Sequence, residues 1–152
     1  MKRIDTVGTE HKLFSLPINL RIDLKKVFQH IDEYVFSQFE TTSYGSADTL
    51  VQYELKEKSF EEDVVTTLLQ RRIFINVSPA DIYSLAKEEQ DGKNVFRKDG
   101  CATFFFAKNK FGQSCQLAVV FLQGESHLKY YDLTNKALWP PGRRIFGQTS
   151  KK

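Results

Sequence analysis

His127, Lys129 and Tyr131 alternate along one short run near the C-terminus, and Arg143 follows them. In a ribonuclease that works without metal, a histidine moves the proton of the 2′-hydroxyl, Lys and Arg stabilise the charged transition state, and Tyr orients the phosphate. These four residues have the types for those roles. Small toxin ribonucleases set such groups on a curved antiparallel sheet, an analogy of architecture with no motif behind it. The same residues also fit a non-catalytic platform, in which flat rings stack unpaired bases and cations neutralise phosphates, each stacked base being worth about 1 to 3 kcal/mol.

Other constellations carry less chemistry. His11, His30 and His127 are scattered, only His127 falling among clustered polar groups, and no metal or cofactor is expected. Glu54-Leu55-Lys56 after Asp48 matches pieces of metal-dependent nucleases. Both carboxylates, however, fall on or beside one strand, where such sites take them from neighbouring strands. Glu61-Glu62-Asp63 sits in the first turn of an expected helix, where the helix dipole explains it. Cys101 and Cys115 lack C-x-x-C spacing and read as small buried hydrophobes on opposite sheet faces, with no disulfide between them. No phosphate loop, G-x-G-x-x-G, G-x-S-x-G or H-E-x-x-H is present.

Charge separates along the chain. Gly92 to Lys152 holds 11 Lys and Arg against three acids, whereas the first 91 residues hold 11 against 16, so a net charge of +3 conceals +8 and −5. The basic half also carries the single Trp. This asymmetry points to an anionic partner. A charged N-terminus and the absence of any 18-residue apolar run predict a cytoplasmic protein without a membrane span.

The elements that would position these residues follow from periodicity. Phe14 to Ile22 alternates as a strand, with Pro17 placing it at an edge. Asp23 would cap a helix whose stripe is Leu24, Val27, Phe28, Ile31, Val35 and Phe39. After a turn at Gly45-Ser46, Val51, Tyr53 and Leu55 form a strand, and Ser59 with Glu62 would cap a helix through Leu68. Ile73, Ile75 and Val77 make a strand. Ser78, Pro79 and Asp81 then open a helix that ends near Gly92. Three turn signals beyond that point, at Asp99-Gly100, Asn109 to Gly112 and Gln123 to Ser126, predict a four-strand meander.

The fold class expected is thus α+β, with three helices on a largely antiparallel sheet that ends in this meander. Residues 1–133 would form one domain and 134–152 an extended basic arm with a frayed end. In the meander, Val95, Ala102, Phe104, Phe106, Cys115, Leu117, Val119, Phe121, Leu128 and Tyr130 should face the core. The opposite face would carry Phe96, Lys98, Thr103, Phe105, Gln116, Ala118, Val120, His127, Lys129 and Tyr131. Phe96, Lys98, Phe105, His127, Lys129 and Tyr131, joined by Trp139, Arg143 and Arg144 of the arm, form the expected binding surface. The function read from the sequence is a non-catalytic binding or regulatory protein for nucleic acid. The alternatives are a small inhibitor or accessory protein docking on an acidic or nucleic-acid-handling protein, and the toxin-like ribonuclease.

Overall fold

A computed structural model describes residues 7–15, 20–21, 23–39, 44–45, 49–70, 73–74, 77–92, 95–132, 138–139, 141 and 143–149. In chain order the elements are β1 (Val7–Ser15), β2 (Leu20–Arg21), a 3-10 turn (Leu24–Lys26), β3 (His30–Ile31), α1 (Glu33–Gln38), β4 (Tyr44–Gly45), β5 (Thr49–Leu55) and β6 (Ser59–Phe60). They continue with α2 (Glu61–Gln70), β7 (Ile73–Phe74), α3 (Pro79–Gln90), β8 (Thr103–Lys108), β9 (Ser114–Leu122), β10 (Glu125–Asp132), β11 (Leu138–Trp139) and β12 (Arg144–Thr149).

The main sheet runs β1-β5-β12-β8-β9-β10-β3, with β7 pairing the far end of β12. Most neighbours are antiparallel; β12 with β8 and β10 with β3 are parallel. The fold is therefore α+β, a mainly sheet core with three α-helices among the described residues. Among the described residues no helix is long and apolar enough to cross a membrane.

Each face of the sheet buries a core. One buries Leu50, Phe105, Leu117, Val119, Leu128 and Phe146 under the α3 side chains Ile82 and Leu85, together with Leu24, Phe28 and Val35. The other buries Tyr53, Phe104, Phe106, Ala118 and Ile145 under Val64 and Leu68 of α2 and under Trp139. Burial on this scale, at about 25 cal/mol per Å² of apolar surface, is what holds the layers together.

Local signals set α3 as the sequence predicts. Ser78 accepts from the Asp81 amide at 3.2 Å and Asp81 accepts from the Ser78 amide at 3.0 Å, a reciprocal cap with Pro79 at the first position. At α2 the expected Ser59 cap is replaced by a Ser59 hydroxyl that donates to the Glu57 carbonyl at 2.8 Å.

Several expectations are overturned. The helix expected from Asp23 to Phe39 is a 3-10 turn, strand β3 and the short helix α1. The chain breaks because the edge of β10 needs partners: His30 and Ile31 pair with His127 and Leu128, and Gln29 exchanges hydrogen bonds of 3.0 Å with Ser126. Leu24, Phe28, Val35 and Phe39 are buried nonetheless, by a different backbone route.

The meander has three strands, β8 to β10, since Val95 to Lys98 forms none. The expected extended arm is also corrected, because Arg144 to Thr149 is strand β12 in the middle of the sheet, between β5 and β8. Cys101 is exposed rather than buried; Cys115 is buried and both thiols are free. Strand β1 ends at Ser15, and Leu16, Pro17, Ile18 and Ile22 of the expected first strand lie outside the described residues, as do Ser46, Asp48, Ile75 and residues 133–137, 140, 142 and 150–152.

Candidate functional site

Two turns decide which side chains reach the surface. Gln123 and Gly124 both have positive φ, 54° and 81°, and pair Leu122 with Glu125 across a two-residue turn. That register puts Glu125, His127, Lys129 and Tyr131 on one face with Gln116, Ala118 and Val120, as the alternation predicts. The other hairpin closes by three residues, because the Asn109 amide donates to the Gln113 carbonyl and Asn109 Oδ1 accepts from the amides of Phe111 and Gln113. Phe105 is consequently opposite Leu117, and Phe104 opposite Ala118, one residue from the expected pairing.

The slip separates the nine expected binding residues. Phe105 is wholly buried and stacks on Phe146 at 5.0 Å, so it cannot hold a base. Phe96 is buried beside it, edge-on at 6.3 Å. Lys98 lies on that same side of the sheet, paired with Glu89 at 2.5 Å and 5.7 Å from the Phe121 ring centre. Arg144 is pinned within the fold by Glu54 at 3.2 Å and by the Val95 carbonyl at 3.3 Å. Trp139 is buried, stacked on Phe104 at 4.8 Å and Phe106 at 5.8 Å. His127, Lys129, Tyr131 and Arg143 remain together on the outer face.

On this face α2 and Trp139 cover the centre of the sheet, while β10 stays open. A shallow cleft of about 440 Å³ runs along it, lined by His30, Asp32, His127, Lys129 and Tyr131 among others. Tyr131 is 44% exposed, its ring 6.1 Å from Phe104. Arg143 lies over Phe104 and Trp139, its guanidinium carbon 4.5 Å and 5.1 Å from the ring centres. Burial pushes the Arg143 pKa down, and among the described residues no carboxylate pairs with it. A larger cleft, of about 720 Å³, opens on the opposite side between Lys25, Phe36, Phe96 and Lys98. Lys98 there pairs with Glu89, and Lys25 Nζ lies 5.7 Å from the Phe36 ring centre.

Two residues missed by sequence reasoning complete the face. His30 stacks on His127 with ring centres 4.3 Å apart and planes 17° from parallel. Its Nε2 is 2.8 Å from Glu125 Oε1. Desolvation, then the proximity of His30 and Lys129, lowers the His127 pKa and favours its neutral imidazole. The Glu125-x-His127 alternation was visible in the sequence. His30 was not, because its position on an expected helix gave no sign of a strand partner 97 residues away. Cys115 lies outside this chemistry, its thiol pushed up to about 11 by burial. Comparison with family models, with curated proteins and with solved structures gave no match.

Proposed function

We propose that the protein is a non-catalytic binding protein that takes single-stranded nucleic acid along the outer face of β10. The observation that carries this reading is Arg143, a partly desolvated guanidinium held over two aromatic rings with no carboxylate partner among the described residues. Burying a cation without a counter-charge is unfavourable, and a phosphate relieves that cost. Beside it, the exposed Tyr131 ring can stack an unpaired base, and Lys129, two residues earlier on the same face, lies about 7 Å further along the strand. The +8 balance of the C-terminal residues favours a polyanion over an uncharged ligand.

Fluorescence anisotropy with short labelled RNA and DNA tests this reading. Tyr131→Ala should weaken binding by about five- to a hundredfold, the equivalent of one stacked base. Arg143→Gln should weaken it with either nucleic acid. Affinity unchanged in both variants, or no binding at low salt, would reject the reading and leave a protein partner. The ribonuclease stands as a second reading because His30 adds a second imidazole beside His127. It requires RNA to be cut by the purified protein in excess EDTA, and the cutting to be lost in His127→Ala.

A further inference from the structure

The edge where β3 meets β10 gathers three metal-ligating side chains that a nucleic-acid platform does not need. Glu125 and His127 are two residues apart on one strand and therefore share a face. His30 is the register partner of His127 on the neighbouring parallel strand. The candidate ligand atoms of His30, Glu125 and His127 all lie within 4.8 Å of one another. The His30 and Glu125 side chains are 50% and 54% exposed, so their rotamers are free to adjust.

We propose that His30, Glu125 and His127 form a zinc-binding site with a fourth coordination position open to solvent. Zinc takes imidazole nitrogen and carboxylate oxygen at about 2.0 to 2.2 Å, which in a tetrahedron places the ligand atoms about 3.3 Å apart. The cluster has to contract by roughly 1.5 Å to reach that spacing, and side-chain rotation that unstacks the two rings supplies it. The His30 to Glu125 hydrogen bond already brings one nitrogen and one oxygen to 2.8 Å. The ion takes the place of the proton they share, and that proton passes to solvent. Two imidazoles and one carboxylate suit zinc, whereas magnesium prefers oxygen ligands in an octahedron. Three protein ligands and an exposed fourth position are the pattern of zinc sites that bind or activate a further ligand.

This site is independent of the nucleic-acid reading, since it is measured without nucleic acid. Calorimetric titration of the full chain with zinc chloride should give one ion per chain, and magnesium chloride should give no binding. Cobalt(II) should show the visible absorption of a tetrahedral centre. His30→Ala and His127→Ala should each weaken zinc binding by more than about tenfold. Glu125→Gln, which keeps the size and polarity of the side chain, should do the same with an unchanged circular dichroism spectrum. No zinc binding at millimolar concentration would overturn the proposal, as would equal affinity in the His30→Ala/His127→Ala double variant.

Discussion

Glu89 is the side chain on which the Val95 to Lys98 segment most depends, and its removal has a calculable cost. Its Oε1 accepts from the Val95 amide at 2.8 Å and from the Phe96 amide at 2.9 Å, while Oε2 pairs with Lys98. The Val95 carbonyl in turn accepts from Gln52 and Arg144, so one residue ties α3, β5 and β12 together. Hydrogen bonds to a charged group are worth about 1.5 to 3 kcal/mol, and two donors sharing one oxygen are not fully additive, so Glu89→Ala should lose about 2 to 4 kcal/mol. The pair with Lys98, whose own side chain is more than half exposed, adds about 1 kcal/mol or less. Glu89→Gln keeps an acceptor for both amides and should lose about half as much.

The charge gives this a pH signature. Burial alone would raise the Glu89 pKa, but Lys98 and the amides of Phe96 and Val95 outweigh it and hold the carboxyl below its ordinary value. A depressed folded-state pKa means the contribution is fully present above the unfolded value, near 4.3, and is lost as pH falls through the folded value. Urea unfolding followed by circular dichroism should therefore show the gap between wild type and Glu89→Gln narrowing from about pH 6 to about pH 3. An alanine cost below about 0.5 kcal/mol, or a glutamine gap that stays constant over that range, would refute this account of the clamp.

Other substitutions test the register and its turn. Phe105→Ala should cost about 3 to 5 kcal/mol in urea unfolding, because the ring is enclosed by Phe96 and Phe146; a cost under about 1 kcal/mol would place it on the surface. Gly124→Ala should lose about 1 to 2 kcal/mol through its φ of 81°, although a Cβ there meets nothing within 4 Å. Equal stability of that variant would mean the two-residue turn has another form.

The parts of the fold legible in the sequence are those written in local chemistry. Ser78, Pro79 and Asp81 specify the start of α3 whatever packs on it, and Gln123-Gly124 with clean alternation fixes the β9 to β10 register. The β8 to β9 register was not legible because Thr103 to Ala107 are all buried, so both faces read as core and pattern cannot distinguish Phe104 from Phe105. A loop longer or shorter by one residue then inverts every side chain. Leu24 to Phe39 read as one helix because burial recurred every three to four residues, which a turn, a strand and a short helix reproduce together. Strand β12 was missed because Arg143-Arg144 resembled a solvated arm, and its pairing with Glu54 depends on a residue far away in sequence. At the site, alternation was enough for His127, Lys129 and Tyr131. The stacking of Arg143 over Phe104 and Trp139, and the approach of His30, required the whole sheet.

The salt dependence of nucleic-acid affinity tests the central claim most directly. For single strands the logarithm of the binding constant falls with the logarithm of salt by about 0.7 for each phosphate neutralised. Wild type should show a steep slope, and the Lys129→Gln/Arg143→Gln double variant a slope shallower by about 1.4, two contacts fewer. A slope that is the same in both proteins would contradict binding along the outer face of β10, whatever the affinity.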